Sequence, residues 1–250
     1  MPSLEYQIIE EFIKNNIIEI FYSKRIANLE KIQLSKILRS KNPYLFKAKN
    51  IDTASDLIRS ILDAVISSSE ETVFGNLLEE LAIFVNGLLF NGKKSTAKGI
   101  DLEFEKDNIL YLVAIKSGPN WGNSSQVKKM IADFISAKKT LRTSNSNNKQ
   151  IEFINGCCYG KDNIPEKGEY LKMCGQRFWS LISGDEDFYL KIIKPIDSQT
   201  KQKDEIFKEK YAVKLNLLTQ ELLKDYCVDG KINWDRILEF NSGKSTVPRM

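Results

Sequence analysis

Apolar residues recur at helical spacing through the first 40 residues of the chain. Ile8, Ile9, Phe12, Ile13, Ile17, Ile20 and Phe21 form the first half of this stripe, and Ile26, Leu29, Ile32, Leu34 and Leu38 continue it. Lys41-Asn42-Pro43 stops it, because proline lacks an N–H and disfavours helical geometry in the residue before it. Asp52-Thr53-Ala54-Ser55 opens a second helix that runs to Ile66. Ser69-Glu70-Glu71 opens a third, with Phe74, Leu77, Leu78, Leu81, Phe84, Val85 and Leu88 as its apolar stripe, and Asn91-Gly92-Lys93-Lys94-Ser95 closes it as a polar loop.

Two β-prone runs follow, Gly99–Glu105 and Ile109–Lys116, joined by Lys106-Asp107-Asn108. Asp-Asn between such runs is a hairpin signal. The second run is apolar until Lys116, the pattern of a central strand buried on both faces. Ser117–Gln126 turns the chain into a helix over 125–142, and Thr143–Asn148 is a solvated loop. Strands are expected at 151–159 and 169–174, then helices at Arg177–Ser183, 185–195, 201–225 and Asn233–Phe240, with a frayed tail from Ser242. No internal repeat or linker is visible. The order, helices, then β-β-α-β-β, then helices, predicts an α/β core with helical N- and C-terminal extensions. The expected regions are 1–68, 69–198 and 199–250.

Composition narrows the chemistry. At 250 residues and 42% hydrophobic the chain can build a sizeable core, and a net charge of +4 permits a nucleic-acid partner. The chain has 0 histidines, which excludes Ser-His-Asp triads, Cys-His dyads and HExxH zinc sites. General-base work falls to Asp, Glu, Lys, Tyr or a metal-bound water. Cys157, Cys158, Cys174 and Cys227 include no CxxC pair, so free thiols in a reducing cytoplasm are expected. Glu5, Glu10 and Glu11 are unlike a secretory leader, and no apolar stretch reads as long enough to cross a bilayer. A cytoplasmic location with no membrane partner is therefore expected.

Lys116 ends a strand too apolar for an idle charge, and the hairpin brings Asp101 to the same end of the sheet. A solvated acid and a surface lysine are the plain alternatives. An Asp and a Lys held together there make a place for a divalent metal and an activated water.

Glu79-Glu80 on a helix, Asp101 on a strand, Ala114-Ile115-Lys116 on the next and a following helix resemble the PD-(D/E)XK nuclease core. Ile100-Asp101, Ala-Ile-Lys-Ser-Gly at 114–118 and Pro119-Asn120-Trp121-Gly122-Asn123-Ser124-Ser125-Gln126 resemble, more narrowly, a group of type II restriction endonucleases. Asn42-Pro43, Phe74-Gly75, Gly175, Phe178-Trp179-Ser180-Leu181 and Gly184 extend the likeness over residues 40–195. The resemblance implies a restriction endonuclease-like mixed sheet flanked by helices, Mg2+ as cofactor, double-stranded DNA as substrate and a GGNCC-type site. It also implies a homodimer and a companion DNA methyltransferase with which no stable complex forms.

On this resemblance Asp101 is a carboxylate ligand, the Ile115 backbone carbonyl a second oxygen ligand, and Lys116 contacts the attacking water or the scissile phosphate. The motif has an acid two residues before the lysine, where this chain has Ala114. Glu80 is the first choice for the missing acid, with Glu79 and Glu103 in reserve. Ser117, Asn120, Asn123, Ser124 and Gln126 are expected to face DNA, with Lys128 and Lys94 as phosphate contacts. Trp121 either touches DNA or packs the turn, the 117–126 run could be only a loop and helix cap, and the lysines could be only a solvated face. Other readings are a repair or recombination nuclease without tight sequence preference and a catalytically silent DNA-binding protein.

Overall fold

A computed structural model describes residues 4–144, 149–197 and 200–244. Of the loop expected at 143–148, Thr143 and Ser144 end a helix, while 145–148 and the tail beyond 244 lie outside the described residues. The chain runs α1 (Leu4–Phe12), a π-helical stretch (Ile13–Ile18), α2 (Glu19–Glu30), α3 (Leu34–Ser40), α4 (Pro43–Ala48) and α5 (Ala54–Phe90). It continues with β1 (Lys93–Lys94), β2 (Leu102–Lys106), β3 (Ile109–Lys116), α6 (Ser124–Ser144), β4 (Gln150–Cys157) and β5 (Leu171–Cys174). Then come α7 (Gln176–Ser183), α8 (Phe188–Lys191), α9 (Ile193–Asp197), α10 (Thr200–Tyr226), β6 (Cys227–Val228), β7 (Lys231–Ile232) and α11 (Trp234–Ser242). They form two compact units, Met1–Ile20 with Val73–Thr200 and Phe21–Thr72 with Lys201–Met250. The first 20 residues thus group with the sheet, whereas the sequence put 1–68 together.

In the first unit five strands form one sheet in the order β1-β2-β3-β4-β5. β1, β2 and β3 are antiparallel neighbours, and β3, β4 and β5 are parallel. Lys106 pairs with Ile109, leaving a two-residue turn in which Asp107 and Asn108 take φ of 52° and 62°. That left-handed geometry matches the twist of the strands it joins, and Asp and Asn tolerate it. Leu112, Val113, Ala114 and Ile115 are all buried, as a central strand requires. On one face Leu112 and Ala114 share a core with Met130, Phe134 and Ala137 of α6. On the other, the Phe178 ring sits against Gly156, and Phe104 stacks on Tyr111 at 5.0 Å.

The second unit is helical. Leu29, Leu34, Leu38, Leu57, Ile58, Leu62, Phe207, Leu218 and Ile237 belong to one core. Each such side chain contributes ~2 kcal/mol through its burial.

Several local expectations change. Asn42-Pro43 starts a helix rather than only stopping one: Asn42 Oδ1 accepts the N–H groups of Tyr44 and Leu45, and Pro43 occupies the first turn, where its missing donor costs nothing. The two helices expected at 52–66 and from 69 are one, α5, of 37 residues. Ser67 to Glu71, which reads as a break, stays helical. Among the described residues α5 is the one helix long and apolar enough to cross a bilayer, contrary to expectation. Its Leu57, Ile58, Ile61, Leu62, Leu77, Leu81, Ala82 and Val85 are buried within the protein. Lys93-Lys94, expected as loop, pairs with Glu103 and Leu102. The helix expected at 185–195 is two short ones, and the hairpin β6–β7 turns on Asp229-Gly230 at positive φ.

Candidate active site

Asp101 directly precedes β2 and extends its ladder, donating its N–H to the Val113 carbonyl at 2.9 Å. Side chains alternate along β3, so Lys116 and Ala114 share a face. The hairpin register sets the Asp101 carboxylate against the same end of β3. Its Oδ2 accepts the Ile115 N–H at 2.7 Å and lies 3.7 Å from Lys116 Nζ. Lys116 Nζ in turn donates to the Ile115 carbonyl at 2.8 Å. One cationic centre therefore lies within reach of two hard oxygen atoms at the end of the central strand, with both side chains only partly exposed.

Residues 7–204 match the family described as Type II restriction endonuclease EcoO109I. The chain belongs to that family. No curated protein matches it. Membership makes it a type II restriction endonuclease with a restriction endonuclease-like fold, acting on double-stranded DNA, and a divalent metal belongs to such nucleases as a class.

The donor set of this endonuclease suits such an ion in part. The ammonium already bridges the two oxygens that a hard cation prefers. Among the described residues, however, no three acidic or thiol side chains converge on one point. Ala114 is fully buried in the apolar layer beneath α6, so a carboxylate there would enter a core. An acid in place of the motif's missing one would have to come from another element.

Glu79 and Glu80 differ in their surroundings. Glu80 is exposed. Glu79 is half-buried, and burial, then the Asp101 carboxylate, pushes its carboxyl above the usual range, while Lys94 and Lys116 pull it back. Residues one apart on a helix point about 100° apart, so only one of this pair can face the site squarely. Of the pair, Glu79 is the more buried and the one on which the Asp101 and Lys116 charges act. Glu103 is occupied: Ser95 Oγ donates to it at 2.8 Å and Lys93 pairs with it at 3.2 Å.

The turn after β3 is a built structure. Asn123 Oδ1 accepts the N–H of Gln126 at 3.1 Å, and Gln126 Oε1 accepts the N–H of Asn123 at 2.9 Å, a reciprocal cap for α6. Asn120, Asn123, Ser124, Gln126, Lys128 and Lys94 are exposed, while Ser117 is half-buried. Trp121 packs against the α6 layer and donates its indole N–H to Asn155 at 3.0 Å. The packing role of Trp121 is thus visible in the structure.

Two groups escaped the sequence reading. Asn155 on β4 is one. The other is Lys172, which donates to the Pro119 carbonyl at 2.9 Å and lies 3.5 Å from Asp162 Oδ2. Lys167 pairs with the same carboxylate and holds Asp162 below the usual carboxylate range. The loop after β4 is thereby tied to the turn after β3. The Tyr159 ring lies over Gly118 there, and a Cβ on that residue would come within 2.4 Å of it. These contacts join distant segments, and no spacing in the sequence signals them. The four cysteines are free thiols, and burial pushes Cys158 up to about 12.

Proposed function

We propose that the chain is a Mg2+-dependent endonuclease that hydrolyses both strands of DNA at a short, roughly palindromic site of the GGNCC type. The observation that carries this reading is Lys116 Nζ standing 2.8 Å from the Ile115 carbonyl and 3.7 Å from Asp101 Oδ2 at one end of the central strand. Asp101 and the Ile115 carbonyl hold the cation, with Glu79 as the third acid. When bound, the ion neutralises charge on the phosphate and lowers the pKa of a water. Lys116 orients that water or the scissile phosphate; the water oxygen bonds to phosphorus as the phosphorus–O3′ bond breaks, the water giving up a proton to solvent and the departing O3′ taking one from it. Hard oxygen donors without histidine or thiolate support Mg2+ over softer metals.

A palindromic site calls for a two-fold enzyme, hence a homodimer, and the helical segments 21–72 and 201–244 are the candidates for its interface. The exposed Asn120, Asn123, Ser124, Gln126, Lys128 and Lys94, with Ser117, form the DNA-facing set. The enzyme works in the cytoplasm beside a DNA methyltransferase that protects host sites, without a stable complex.

Digestion of a fully sequenced phage DNA, with Mg2+ and with EDTA, tests this. Discrete metal-dependent fragments are expected, and sequencing their ends gives the site. A smear would replace the reading with a nuclease of repair or recombination. Intact DNA in both Mg2+ and Mn2+ would replace it with a silent DNA-binding protein.

A further inference from the structure

We propose that Trp121, locked by Asn155, is a positioning residue for the Lys116 ammonium; this rests on the role given to Lys116 above. Asn155 is 1% exposed, with Ala114 as its register partner on the central strand. A primary amide buried there is costly unless both of its ends are bonded. Both are: Nδ2 donates to the Ala114 carbonyl at 3.3 Å, and Oδ1 accepts the Trp121 indole N–H at 3.0 Å. An indole N–H only donates, so the bond also fixes which way the amide points.

One edge of the ring is thereby anchored to the sheet. Its face lies 5.4 Å from Lys116 Nζ, within cation–π range. Two further neighbours of that ammonium, Ile115 carbonyl and Asp101 Oδ2, are the oxygens offered to the divalent cation. The ring face is the one contact of the three that does not compete for the ion. A rigid, neutral π surface keeps Nζ at the end of β3 when its oxygen partners are engaged elsewhere.

The test uses a duplex carrying the site found by the digestion above. Trp121→Leu should slow single-turnover cleavage about tenfold, the scale of a partly desolvated cation–π contact. Trp121→Phe, which keeps a ring face, should recover most of that loss. DNA affinity measured with Ca2+ should stay unchanged in both, while both should melt below wild type, because each leaves the buried Asn155 oxygen without its indole donor. Without any metal, Lys116→Met should alter the tryptophan emission of the wild-type chain but not that of the Trp121→Phe chain. The proposal is overturned if Trp121→Leu cuts at the wild-type rate, if affinity falls in step with cleavage, or if the emission does not respond. Lys116→Ala separates the two levels. Cleavage by that variant at the wild-type rate sinks the reading of Lys116 itself. An inactive Lys116→Ala beside a fast Trp121→Leu sinks only the positioning role.

Discussion

Asp101 Oδ2 accepts the backbone N–H of Ile115 at 2.7 Å, so the carboxylate is oriented by the strand whose carbonyl is its proposed partner in metal binding. A bond to a backbone amide in a sheet cannot drift as a side-chain contact can, and the acid is preorganised.

Asp101→Ala and Lys116→Ala should each lower single-turnover cleavage by about a thousandfold or more, the several kcal/mol such groups supply. Ca2+-supported DNA binding, read by gel shift, should survive. Either variant cutting at a normal rate would show that the chemistry lies elsewhere.

Glu79→Gln should slow cleavage by about a hundredfold, whereas Glu80→Gln should have little effect. The metal-free protein offers a second reading of the same residue. Burial and Asp101 raise the Glu79 pKa in the folded state, so its ionised form opposes folding. The penalty is absent below the unfolded value of about 4.3 and grows as pH rises through the folded value. Glu79→Gln should therefore melt higher than wild type at pH 7, and the difference should close as pH falls towards about 4. A lower-melting Glu79→Gln at pH 7 would contradict the assignment.

Asp162 has the opposite sign. Its hydrogen bond with Lys167 leads the effects that depress its folded-state pKa. Its contribution to stability is present above the unfolded value of about 3.9 and is lost as pH drops through the lower folded value. Asp162→Asn should melt below wild type at pH 7, with the gap narrowing in acid. A gap that does not change with pH would assign the effect to packing rather than charge.

Gly156→Ala should cost ~1–3 kcal/mol in urea denaturation, the range for overpacking a filled core. A Cβ there would stand 2.3 Å from the fully buried Phe178 ring. Gly156→Ala combined with Phe178→Leu should recover part of the loss. No recovery would mean that glycine is needed for the strand backbone rather than for the ring.

The succession β2, β3, α6, β4 and β5, the hairpin on Asp107-Asn108 and the meeting of Asp101 with Lys116 were legible in the amino-acid sequence, because each depends on residues close along the chain. Turn chemistry sets the register of a two-residue hairpin, and the register brings the two residues together. Tertiary structure decided the rest. Glu79 is half-buried and Glu80 exposed because of how α5 packs, and spacing cannot choose between neighbours. Ala114 and Asn155 meet only because β3 and β4 pair in parallel, and Trp121 reaches Asn155 across 34 residues of sequence. Residues 21–72 and 201–244 share one core, which separate helical stripes could not announce. Long-range packing chooses among faces that local periodicity leaves equivalent, and it is free to do so because each apolar stripe can be buried by more than one partner.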